Sequence, residues 1–264
     1  MKKNWTLKAA GILLALTLIT SCFVGGTFAK YVTSSKAAET ARVAKFGVHA
    51  FVSTNDLFKT KYTTDDSGRG AKIIYSVDSN GSGDLVAPGT KSDGALNVAV
   101  SGTPEVAVNV AFKLDVTGDV FLKAGTYRDF TTTELTDGKN ASFNLAEDYY
   151  PIVFTLKDSN GGTLVSGKLS EIKEYLENTL SQDITPNTDL TTVFTDALQL
   201  TWEWKFTDEA NKWVDKADTL LGHLAADKDS LGKFDENNAP IKLDPKEFST
   251  DISFTLSITV TQID

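Results

Sequence analysis

The chain has two histidines, His49 and His223, and one cysteine, Cys22, among 264 residues. Thiol nucleophiles, zinc centres and most general-base catalysis draw on these residue types, and their placement favours none of the three. The histidines fall in different predicted elements. No His-Glu-x-x-His string supplies the paired imidazoles and base of a zinc protease of that type. His49 is expected on a strand surface, and His223, after Gly222, at the surface or end of a helix. Serines are plentiful, but no Gly-x-Ser-x-Gly turn occurs. Carboxylates are also plentiful, yet their spacing singles out no acid/base pair. The chain is therefore expected to be no enzyme and to need no cofactor.

Hard oxygen ligands cluster in predicted loops at Asp65-Asp66, Asp78 to Asp84, Asp158 to Asn160, and Asp227 to Asp229. Asp227 and Asp229 are weak calcium candidates. Gly232 falls where a calcium-binding loop needs its glycine, but Leu231 occupies the fifth position, where a ligand belongs. Turn formation accounts for all four clusters without a metal. Trp202, Trp204, Phe206 and Trp213 raise a carbohydrate platform as an alternative. However, Trp202 and Trp204 share their phase with Leu198 and Leu200, which places them in a core.

The elements around these residues are mainly strands. Ile252, Phe254, Leu256, Ile258 and Val260 alternate with Ser and Thr, the period-two mark of a strand with one buried face. Val106 to Val116, Leu96 to Val100, Leu198 to Phe206 and Tyr150 to Leu156 repeat the pattern, and Ala44 to Val52 and Lys72 to Val77 are further strands. Gly, Asn and Asp clusters such as Asp78 to Gly83 and Asp158 to Gly162 separate them. Half-buried strands from end to end of a chain predict an all-β fold, with two antiparallel sheets packed face to face. Two helices in connections are expected to interrupt it. Ser170 to Leu180 has Leu169 and Ser170 to staple and cap its start, and Asp208 to Ala226 carries an apolar stripe through Trp213, Ala217, Leu220, Leu221 and Leu224.

The first residues read as an export segment. Lys2, Lys3 and Lys8 precede a mainly apolar run from Ala9 to Val24, and Thr27-Phe28-Ala29 puts small residues where a signal peptidase reads them. Cleavage between Ala29 and Lys30 is expected. Ile19-Thr20-Ser21-Cys22 loosely matches a lipobox, the alternative being lipidation of Cys22. Removal of residues 1–29 takes the net charge from −9 to −12, which argues against nucleic acid and anionic membranes as partners. Membrane contact is expected only before the signal is removed. A mature chain without cysteine must be held by its core. The expected organisation is a signal peptide over 1–29, an arm over 30–40 and a single β domain over 41–264. The arm, from Lys30, Tyr31, Val32, Thr33 and Ser34 onward, is polar and rich in small residues, and reads as extended or flexible until something pairs with it.

Gly25-Gly-Thr-Phe-Ala29 followed by Lys30-Tyr-Val-Thr-Ser34 and Ala41 to Val48 resembles the exported TasA and camelysin family of Gram-positive bacteria, whose members are processed by a SipW-type signal peptidase. Leu85-Val-Ala-Pro-Gly-Thr90 is similar to that family's Pro-Gly turn ahead of a strand pair. The resemblance implies a jelly-roll-like β-sandwich and a place in extracellular fibres or biofilm matrix. It implies self-association in which the arm of one subunit adds a strand to the next. An exposed sheet edge accepts such a segment through its unpaired N–H and C=O groups, and head-to-tail joining of this kind grows filaments. Alternative readings are a monomeric surface module for glycan or host protein and a metal-dependent hydrolase; the latter lacks the histidine ligands.

Overall fold

The computed structural model describes residues 32–35, 46–66, 73–131, 141–194, 197–205 and 213–263. The expected signal segment lies outside them, as do Thr27, Phe28, Ala29, Lys30 and Tyr31. The described chain is mostly β, with several antiparallel sheets and three α-helices. Among the described residues no helix is long and apolar enough to cross a membrane.

Two sheets carry the architecture. One has the strand order β1 (Val32–Ser35), β17 (Ser253–Gln262), β6 (Val108–Gly118), β12 (Gln182–Ile184). The other runs β11 (Thr163–Gly167), β10 (Ile152–Lys157), β13 (Leu198–Trp204), β5 (Ala95–Gly102), β2 (Val48–Asn55). The alternation read from sequence supplies the reason these segments are strands. In β6, Val108, Val110, Phe112 and Leu114 are buried; in β17, Leu256, Ile258 and Val260; in β13, Leu198, Leu200, Trp202 and Trp204. All belong to one core, which also takes in Val98 and Val100 of β5 and Phe154 and Leu156 of β10. Phe154 and Phe254 meet edge to face across it, ring centres 6.1 Å apart.

Four two-stranded ladders complete the strands: β3 (Lys61–Asp66) with β4 (Ile73–Asp78), β8 (Gly125–Arg128) with β9 (Ser142–Leu145), β7 (Phe121–Leu122) with β16 (Phe248–Ser249), and β14 (Lys233–Phe234) with β15 (Pro240–Ile241). The Pro-Gly turn forms as expected. Gly89 takes φ +80°, Thr90 Oγ1 donates to the Ala87 carbonyl at 2.6 Å, and β5 begins five residues later.

The helices differ from expectation in detail. α1 (Leu169–Tyr175) runs into a π-helical turn at Leu176–Leu180. Its N-cap is Lys168, with no side-chain cap bond, so Leu169 and Ser170 do not cap it. Instead the Leu169 amide donates to Asp119 from the connection after β6. A tertiary acceptor replaces the local cap. α2 (Leu190–Val193) is an additional one-turn helix, capped by Asp189 accepting from the Thr191 amide at 3.0 Å. α3 is described from Trp213 to Ala226 and buries Ala217, Leu220, Leu221 and Leu224. Residues 208–212 of the expected helix lie outside the described residues, as does Phe206.

Glycine pins both ends of the β2–β5 ladder. A Cβ on Gly94 would fall on the Asn55 carbonyl oxygen, and one on Gly102, at φ +115°, on that of Gly47. Only a residue without a side chain allows the backbones to approach so closely.

Candidate assembly edge

The arm residues Val32, Thr33 and Ser34 form a strand together with Ser35. β1 pairs antiparallel with β17, setting Val32 opposite Thr261, Thr33 opposite Val260, Ser34 opposite Thr259 and Ser35 opposite Ile258. The other side of β17 pairs with β6 from Ser253 to Gln262. β1 therefore sits on an edge of the four-stranded sheet and covers only the C-terminal part of β17. The sequence signalled an extended arm; it gave no sign of the edge that receives it.

The register is weakly specified from the arm's side. Core residues Ile258 and Val260 face Ser35 and Thr33 in the ladder. A strand is fixed in register by an apolar set that must stay inside, and Val-Thr-Ser-Ser has none with period two. Such a strand is held mainly by backbone hydrogen bonds, each worth about 0.5–1.5 kcal/mol net.

Next to the half of β17 that β1 does not reach lies a groove of about 890 Å³, lined among the described residues by Val52, Leu57, Phe58, Leu96, Phe254 and Leu256, with Asp56 and Asp84 also on its wall. β2 passes close to both β1 and β17, so the groove continues the line of β1.

The far side of β6 is occupied from Val108 to Leu114. β12 pairs with Val108 to Val110 of β6. Beyond it, side chains occupy the ladder. Ser181 Oγ accepts from the Phe112 amide at 2.8 Å. Glu177 accepts from the Leu114 amide at 3.1 Å, and Lys173 Nζ donates to the Leu114 carbonyl at 3.0 Å. The helix after β11 thus blocks β6 with polar groups where a strand would otherwise pair.

The residues searched for chemistry are dispersed. Asp227 Oδ1 accepts from the Asp229 amide at 2.9 Å, and Asp229 pairs with Lys242 at 3.0 Å, so both weak calcium candidates take part in a turn and an ion pair. Among the described residues no group of three His, Cys, Asp or Glu side chains is placed to hold a metal. His49 is exposed on β2. His223 is exposed on α3 and stacks on Phe130 at 4.2 Å. Trp202 and Trp204 are buried. The Trp202 indole donates to the Leu57 carbonyl at 2.6 Å and stacks against Phe58 at 5.5 Å, so these rings are core and no surface platform.

Three acids escaped the sequence reading. Burial pushes the Asp119 carboxyl up to about 6, against hydrogen bonds from the Val120 and Leu169 amides. Asp129 is buried; that would raise its carboxyl, but Lys216 at 2.6 Å and the Thr131 donors prevail and hold it below the usual range. Burial lifts Asp218 to about 7. Asp218 had one legible signal, since it shares the apolar stripe of α3 with Ala217 and Leu221.

No family model, curated protein or solved structure matches the chain.

Proposed function

We propose that the chain is an exported structural protein of extracellular fibres or biofilm matrix, located in the matrix or at the cell surface, and not an enzyme. In this reading residues 1–29 are a signal peptide removed by a SipW-type peptidase. The body is a jelly-roll-like two-sheet sandwich, and the arm polymerises the protein by leaving its own β17 and pairing with that of a neighbour. The observation that carries the reading is the seat of β1. The N-terminal strand lies at a sheet edge, in a weakly specified register, while the far side of β6 is taken up by β12 and by Glu177, Ser181 and Lys173. The β17 edge carries only this short strand, and exchange of identical strands is a low-cost route to assembly.

Electron microscopy of the mature protein, with and without residues 30–35, tests this. The intact form should give filaments, and the shortened form a folded monomer by size exclusion and circular dichroism. Filaments from the shortened form would refute the arm mechanism. N-terminal sequencing of the secreted product should begin at Lys30.

A further inference from the structure

We propose that α3 is a pH-responsive clasp, seated while Asp218 is neutral and loosened when that carboxyl ionises. Asp218 lies on the buried face of α3 and is 8% exposed. Its Oδ1 accepts from two separate parts of the body: the Tyr149 hydroxyl at 2.8 Å, just before β10, and the Trp204 indole N–H at 3.2 Å, at the end of β13. Its Oδ2 is buried without a partner. A neutral carboxyl can place its proton on that oxygen. A carboxylate would leave a desolvated anionic oxygen with no donor, which is costly.

Among the described residues the surroundings offer no compensating charge. Asp215, one turn earlier on the same helix, adds like-charge repulsion. Lys216 is engaged with Asp129 at 2.6 Å. Asp148, beside Tyr149, is tied to Lys123 at 2.6 Å. Glu203 and Lys205, either side of Trp204, are exposed. β9, which also packs on α3, carries no ionisable residue. His223 lies more than a turn further along, against Phe130. Burial therefore dominates, with the Tyr149 and Trp204 donors opposing it.

The sign follows. A carboxyl that holds its proton more tightly when docked than when released costs docking free energy as pH rises, until it is ionised in both states. Hydrogen exchange of α3 amides on the purified protein, corrected for intrinsic rates and referenced to β6 amides, reads this directly. Protection in α3 should fall by roughly tenfold or more between about pH 5.5 and about pH 8.5, with β6 unchanged. Asp218→Asn, which keeps an acceptor and adds a donor at the orphan position, should abolish the fall. Tyr149→Phe removes a donor that favours the ionised form and should move the midpoint upward. His223→Gln should change nothing. A flat wild-type profile, a fall retained in Asp218→Asn, or a fall abolished by His223→Gln would each overturn the clasp. Should Asp218→Asn not fold, Tyr149→Phe decides: an unmoved or lowered midpoint overturns it.

Discussion

Glu177 accepts the amide hydrogen of Leu114 at 3.1 Å, so a carboxylate on a helical turn occupies a position that a neighbouring strand would fill. Ser181 does the same at Phe112. Sheet edges are templates for unwanted pairing, and proteins blunt them with covering elements and charge. Here the blunting is applied to β6, while the β17 side carries only a four-residue strand.

Removing that block should be visible in two ways. Glu177→Ala leaves the Leu114 amide without its acceptor and should cost about 1–3 kcal/mol, read by urea denaturation. Combined with Ser181→Ala in protein lacking residues 30–35, which is otherwise expected to be a monomer, it opens the β6 edge, and light scattering should then show dimers or larger species. A double variant as stable and monomeric as that shortened parent would mean that the side-chain ladder does not protect the edge.

The proposed acceptor edge can be probed in trans. Protein lacking residues 30–35 should bind a synthetic peptide spanning Lys30 to Thr40 at one-to-one stoichiometry by calorimetry, and a scrambled peptide should not bind. Val260→Pro, which withdraws the β17 backbone donor opposite Thr33, should weaken that binding if the strand folds unchanged; equal binding would place the peptide elsewhere.

Asp119 predicts a pH effect of its own. Its folded carboxyl is raised to about 6, so its proton stabilises the fold at low pH and that stabilisation is lost as pH climbs from about 4 to about 6. Compared with Asp119→Asn, the parent should lose about 1–2 kcal/mol over that window, allowing for solvent screening, with no further divergence above it. Parallel stability profiles would show that Asp119 does not titrate in the fold.

The Asp129–Lys216 pair behaves oppositely. Its carboxyl is held below the usual range, and Lys216→Met would leave it buried without its cation, at a cost of about 3 kcal/mol. Part of the loss should be recovered as pH falls to about 4 and the carboxyl protonates. Thermal melts at two pH values measure both effects, and a neutral phenotype at pH 7 would mean that water replaces the lysine.

Much of the β framework was legible because it obeys a two-residue rhythm. β17, β6, β5, β13 and β10 each bury alternate residues, and the phase of Trp202 and Trp204 with Leu198 and Leu200 located both indoles correctly. Ladders of two to four residues, such as β7 with β16, are too short to show a rhythm. β1 was hidden for another reason. Val-Thr-Ser-Ser has no apolar alternation, so its seat on β17 is a property of the partner strand. The start of α1 depends on Asp119, fifty residues away in sequence, which local capping rules cannot reach. Acids on an acidic chain look solvated, and Asp218 is distinguished only by its phase on a helix.

The glycines that pin β2 to β5 bear on the dimensions of any polymer. With Gly47 and Gly102 locked together at one end and Asn55 and Gly94 at the other, β2 cannot travel with a departing arm. Only residues 36–45 remain as tether between Ser35 and Phe46. Ten residues span at most about 35 Å when fully extended, less than the roughly 45 Å width of a compact body of this size. A donated arm would therefore reach a neighbour only if the two bodies touch. The fibre would be a continuous rod with an axial repeat near one body width, and micrographs showing spaced beads on a thread would be incompatible with so short a leash.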